Sequence, residues 1–217
     1  MSQGNLIQLI IIAALPVLFA ITVHEVAHGW MASRLGDRTA LMLGRLTLNP
    51  VKHIDPIGTV LVPAVTLLMG GVIFGWAKPV PVTWENLRHP RRDMALVAAA
   101  GPAANLCMVV FWILVMKVGW LLSGSAPGLV QALISMGQIG IRINLILMVL
   151  NLLPIPPLDG SRVVSSFLTG PIAWRYNQLE NYGLIILLLL LMSGALGWLV
   201  MDPVKHLESL MYLAAGI

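Results

Sequence analysis

Two histidines four residues apart bracket a glutamate in His24-Glu25-Val26-Ala27-His28. On a helix, positions i and i+4 share a face, so both imidazoles can reach one ion, with Glu25 about 100° round the axis. Zinc suits two neutral histidines, a third protein ligand and an open position for water. Glu25 is then the group that takes a proton as water attacks a carbonyl and passes it to the leaving amine. The bland alternative is a polar helix end at a membrane interface. Against it stands the setting: the cluster closes an apolar stretch over residues 6–23, where ionisable groups are costly and mark function.

Two histidines do not complete a catalytic site. Asp159, in Asn151-Leu-Leu-Pro-Ile-Pro-Pro-Leu-Asp159-Gly160, is the best-placed remaining acid. Pro154, Pro156 and Pro157 must end the preceding helix and leave an irregular turn, from which Asp159 can start a short helix. Spacing alone serves a helix N-cap as well as a metal ligand. His53, in a loop between Pro50 and Pro56, is the other candidate ligand, or a residue at the edge of the site.

The elements that must position these groups follow from composition. Apolar residues make up 58% of the 217 and charged residues only 10%, against roughly 45–50% and about 25% in ordinary globular chains. Such a chain cannot cover a soluble core with polar surface, and disorder, collagen and coiled coil are excluded as well. Cys107 is the sole cysteine, which forbids an intramolecular disulfide and a cysteine-rich zinc site. The net charge of +4 fits cytoplasmic loops and anionic headgroups rather than nucleic acid.

Five apolar segments are expected: 5–35, 57–74, 94–122, 129–153 and 183–201, with 202–217 as a short interfacial helix. The first lacks the positive start and small-residue cleavage site of a signal peptide, so it reads as a retained membrane helix. Pro63 and Gly70-Gly71 break the second. Arg34, Arg38, Arg45 and Lys52 precede that segment, and Lys78, Arg88, Arg91 and Arg92 follow it. A full crossing would put the two basic loops on opposite sides, so 57–74 is expected to dip in and return. Arg142 is costly at mid-membrane and calls for a carboxylate partner or a place near the outer interface.

HEVAH at 24–28 joined to NLLPIPPLDG at 151–160 resembles the site-2 protease family of intramembrane zinc metalloproteases. Gly101-Pro102-Ala-Ala-Asn105 is similar to that family's GPxxN element, and the resemblance runs from the first helix to about Leu168. It implies that His24, His28 and Asp159 ligate one zinc ion per chain and that Glu25 is the general base. It also implies that Asn151 holds or polarises the substrate backbone; Asn105 and His53 are further candidates for substrate contact. The implied substrates are transmembrane proteins or peptides, cleaved in the lipid bilayer near the cytoplasmic face of a prokaryotic cell membrane. The short link at 123–128 is expected to leave no room for the PDZ domain of some members, and the tail is expected to be too short for a CBS pair. An oligomer is compatible with all of this.

The expected fold is therefore an all-α polytopic membrane protein, one domain over 1–217. About four full transmembrane helices join a re-entrant segment and a short strand hairpin on the cytoplasmic side. By the resemblance the hairpin matches 39–48 (TALMLGRLTL), where a strand edge can hold an unwound substrate by main-chain pairing. An ordinary surface hairpin with Gly44 at its turn reads equally well. The rival function is a metal transporter or metal-binding membrane protein. A transporter needs ionisable groups along a path through several helices, whereas here they gather at one depth and Glu25 has no transport role. An aspartyl protease needs a second intramembrane aspartate. A serine protease needs a basic partner at membrane depth, and Ser123 and Ser125 lie in the outer link.

Overall fold

The computed structural model describes residues 3–62, 64, 65, 75–124 and 126–217, with side chains from Ile11 onward apart from that of Val60. Its long elements are α1 (Gln3–Arg34), α3 (Pro90–Leu121) and α4 (Pro127–Leu152), with the single turn α2 (Thr39–Met42) between the first two. After them come α5 (Asp159–Phe167), α6 (Gly170–Gln178), α7 (Gly183–Met192) and α8 (Ala195–Ala215). Pro90 and Pro127 open α3 and α4 at the first turn, where a missing N–H costs nothing and a fixed φ helps.

α1 from Ile11, α3 and α4 are long and apolar enough to cross a membrane, and a fourth span results if the bent run Gly170–Met192 plus Ala195–Ala215 counts as one. α3 and α4 approach closely because glycines face bulky partners. A Cβ on Gly137 would sit 2.7 Å from that of Met116, and Gly140 lies against the Trp112 ring. Val109, Trp112 and Met116 of α3 meet Ile141, Leu145 and Met148 of α4 and Leu196, Val200 and Val204 of α8 in one core. Large apolar side chains such as Ile11, Val110, Leu114 and Leu189 are exposed, while Asn105, Asn144 and the histidine pair lie inside. Polar within and apolar without is the arrangement a bilayer favours.

The expected strand hairpin at 39–48 is absent: among the described residues there is no strand, and Thr39–Met42 is a helical turn. Asp37 is the reason. Its fully buried carboxylate accepts hydrogen bonds from Thr39 N at 3.0 Å, Thr83 N at 2.7 Å and Asn86 Nδ2 at 3.1 Å, as well as from the Thr39 hydroxyl. The bond from Thr39 N satisfies the turn's first backbone donor, and those from Thr83 and Asn86 tie the turn to the segment before α3. Gly44, at φ +63°, then stops it: Arg45 N reaches Ala40 O and Gly44 N reaches Leu41 O, a Schellman ending. Burial disfavours charge on Asp37, but the hydrogen bonds from Thr39, Thr83 and Asn86 outweigh it and hold the carboxyl below its ordinary value.

Two further expectations change. The uncharged run 183–201 is not one helix: it breaks at Gly194, which takes φ +76°, and the chain bends by 77°. The tail 202–217, expected as a short interfacial helix, instead continues α8 as far as Ala215 and packs on α4. Through it Glu208 reaches Arg142, with carboxylate oxygens 3.2 Å from Nε and 3.1 Å from Nη2, which is the carboxylate partner expected for that arginine. The re-entrant expectation for 57–74 falls largely outside the described residues, which stop at 65 and resume at 75. Its flanks do meet: Trp76 N donates to Gly58 O and Lys78 N to His53 O, so the chain returns to the end of the bundle it left.

Candidate active site

α1 carries His24 and His28 on one face, against α3. The side-chain nitrogen His24 Nδ1 lies 2.7 Å from Asn105 Oδ1, and His28 Nδ1 lies 2.7 Å from Val97 O. A backbone carbonyl only accepts, so His28 Nδ1 carries the proton. The Asn105 amide donates to Ala20 O and Asn144 Oδ1, which turns its oxygen towards His24, so His24 Nδ1 is a donor as well. In its neutral form each ring therefore presents its Nε2 lone pair to the other, at 3.0 Å. Asp159 Oδ2 joins them, 3.2 Å from His24 Nε2 and 3.3 Å from His28 Nε2, buried and without a hydrogen-bond partner.

Three lone-pair donors converging in an apolar bundle repel one another unless a cation or a proton lies between them. Among the described residues, these three form the only group of histidine, cysteine and acidic side chains close enough to hold a metal ion. The donor set, two imidazoles and a carboxylate, fits zinc. Asn105, expected as a possible substrate contact, has oxygen and amide both engaged and acts on the ring of His24. Orienting partners of this kind fix the tautomer of a metal-binding histidine.

Asp159 arrives by local geometry. It is the first residue of α5, with Leu158 at the cap position and no side-chain cap bond there. The carboxylate is not employed as a cap. Gly160 lets the turn close on the end of α4, since a Cβ there would overlap the carbonyls of Leu152 and Leu153. Gly101 serves the rings in the same way: any side chain at that point of α3 would strike His28 and His24. GPxxN thus joins two physical needs four residues apart on one helix face, room for the imidazoles and an acceptor for one of them.

Other expected residues lie elsewhere. His53 is buried in the turn Pro50–His53, its Nε2 2.9 Å from Thr47 O, and is not part of the cluster. Asn151 donates to Leu147 O of its own helix. Glu25 points to the segment before α3, its Oε2 accepting from Val80 N at 2.9 Å. Sequence reasoning assigned no role to Asn144, Val97 or Val80. Asn144 had a signal, as an amide in an apolar helix, but backbone partners leave none.

The sequence profile of peptidase family M50 matches residues 12–193. The chain belongs to that family. This M50 chain is 38% identical over 195 residues to a Bacillus subtilis protein named "Putative zinc metalloprotease YwhC", covering 88% of the chain and 84% of that protein. It is 30% identical over 180 residues to "Putative zinc metalloprotease Rip2" of Mycolicibacterium smegmatis, covering 82% of the chain and 66% of the relative. The Rip2 of Mycobacterium tuberculosis strain H37Rv is 29% identical over 182 residues, with 83% and 67% covered. No solved structure matches. The family supports the resemblance drawn from HEVAH and NLLPIPPLDG, and makes this M50 chain a metalloprotease of the site-2 protease kind.

Proposed function

We propose that the chain is a zinc-dependent endopeptidase that hydrolyses transmembrane substrates within the membrane, near the cytoplasmic face. The observation that carries the reading is the convergence of His24 Nε2, His28 Nε2 and Asp159 Oδ2, with both Nδ1 atoms held by acceptors. These three would hold one zinc ion. When bound, zinc supplies Lewis-acid polarisation of the scissile carbonyl and acidifies water. Glu25, adjacent to His24 on α1, takes the proton of the attacking water on a carboxylate oxygen and delivers it to the leaving amine nitrogen. The helices of the bundle keep bulk water from the reacting groups, and a substrate helix must unwind to expose its peptide bond.

Basic residues support the location. Of the 13 lysines and arginines, all but Lys117, Arg142 and Lys205 lie at or just after the end of α1, before or at the start of α3, or between α4 and α7. The contacts of His28 with Val97 and Asp159 put those places at one end of the bundle, and basic connections favour the cytoplasm.

The test is cleavage of a transmembrane peptide by purified protein in liposomes, with metal analysis. Glu25→Gln should keep the metal and lose about 10²–10⁴-fold in rate, and His24→Ala should lose both. Metal-dependent ion flux with no cleavage would transfer the site to a transporter.

A further inference from the structure

We propose that the backbone amide of Val80 is a positioning group for hydrolysis, holding the Glu25 carboxylate in its working orientation. The inference rests on the reading of Glu25 as the base. A glutamate carboxylate swings on three side-chain torsions, and ordering it costs entropy unless something holds it. Glu25 is held through Oε2, which accepts from Val80 N at 2.9 Å. The other oxygen is then the one that takes the proton.

The segment that delivers this amide is stiff by composition. Val80 stands between Pro79 and Pro81 in Lys78-Pro79-Val80-Pro81. Prolines carry no N–H, so Val80 N is the one amide donor over 79–81. Lys78 and Val80 each precede a proline, which confines their backbones to extended conformations. A rigid stretch with one donor is well suited to aim it.

The segment is also fastened to α1 beside Glu25. Gly29 lies four residues after Glu25 on the same helix face. Its missing side chain makes a notch: a Cβ there would lie 2.7 Å from Val80 Cγ1 and 2.5 Å from Leu46 Cδ2. Val80 is 7% exposed in that notch. From the other side Arg45 Nη2 donates to the carbonyls of Lys78 at 3.0 Å and Pro79 at 3.4 Å, and Lys78 N donates to His53 O at 2.9 Å. None of these attachments involves the metal-ligand cluster. His53, unsuited to the metal by position, anchors the segment that holds the base.

Three variants test this in liposomes with a transmembrane peptide, each with kcat, KM and bound zinc measured. Val80→Pro deletes the donor and preserves extended backbone; kcat should fall on the order of 10–100-fold with KM within about twofold and zinc retained. Val80→Ala keeps the donor and trims only the methyls in the notch, so its loss of kcat should be smaller than that of Val80→Pro. Gly29→Ala pushes Val80 off α1 without touching its amide, and should lower kcat as Val80→Pro does, which decides the matter if the proline variant fails to fold. Equal losses in Val80→Pro and Val80→Ala, a change in KM alone, or wild-type kcat in either Val80→Pro or Gly29→Ala would overturn the inference. Undiminished cleavage by Glu25→Gln would instead overturn the reading of Glu25 as base, whatever the Val80 variants do.

Discussion

Asp37, fully buried, and Asp159, partly buried, are carboxylates near the same end of α1, and their surroundings are opposites. Around Asp37 every neighbour is a donor: two amides, a hydroxyl and a side-chain amide converge on its two oxygens. Around Asp159 Oδ2 the neighbours are two ring nitrogens whose protons are on their far sides. The first cluster is complete without any ligand, and its product is a loop conformation. The second has acceptors facing acceptors, and only a cation or a proton resolves it. Burial of a carboxylate is therefore silent about function until the hydrogen count of its partners is made.

The largest expected effect comes from breaking the incomplete cluster. His28→Ala should abolish both cleavage and zinc-linked stabilisation. In the wild type that stabilisation is about 4 kcal/mol at zinc a thousandfold above its dissociation constant, read as a shift of thermal midpoint in detergent with and without chelator. The comparison collapses if the midpoint of His28→Ala still responds to zinc.

An intermediate effect tests the support of the rings. Asn105→Ala leaves His24 Nδ1 without its acceptor and should weaken zinc binding about 10–100-fold, measured by competition with a chromogenic chelator. Unchanged affinity would mean that the tautomer of His24 is set by the metal alone.

The smallest effect on activity is expected from the complete cluster. Asp37→Ala orphans buried donors at about 1–3 kcal/mol each, so stability should fall while the zinc-induced increment stays at its wild-type size, since the sites share no partner. Acid sharpens the contrast. The native Asp37 carboxyl titrates below its ordinary value, so its contribution is whole above the unfolded-state value of about 4 and is lost as pH falls through the lower native one. Chelated Asp37→Asn should show a shallower loss of midpoint over that acidic range than chelated wild type; parallel curves would remove Asp37 from the account.

The two clusters also differ in how far they could be read from residues alone. HEVAH announces itself because i, i+4 periodicity is local, and apolar surroundings make its polar groups conspicuous. The Asp37 cluster joins residues 37, 39, 83 and 86, so nothing local foretold that 39–42 would wind into a turn rather than pair as a strand. The break at Gly194 escaped notice for a similar reason: an unbroken apolar run satisfies hydropathy whether or not its glycine bends.

By itself the sequence determined the class of molecule, the long apolar helices, the two histidines on one helix face and the short list of acids able to join them. Those properties depend on composition and on spacings within one turn of helix. Tertiary structure decided which acid meets the histidines, which ring nitrogens carry protons, and where Glu25 is held. His24 takes its acceptor from 81 positions away, His28 from 69 and Glu25 its donor from 55. A proton's place on an imidazole is set by whatever atom packing brings within 3 Å, and that atom can be a backbone carbonyl or amide, which no residue type records.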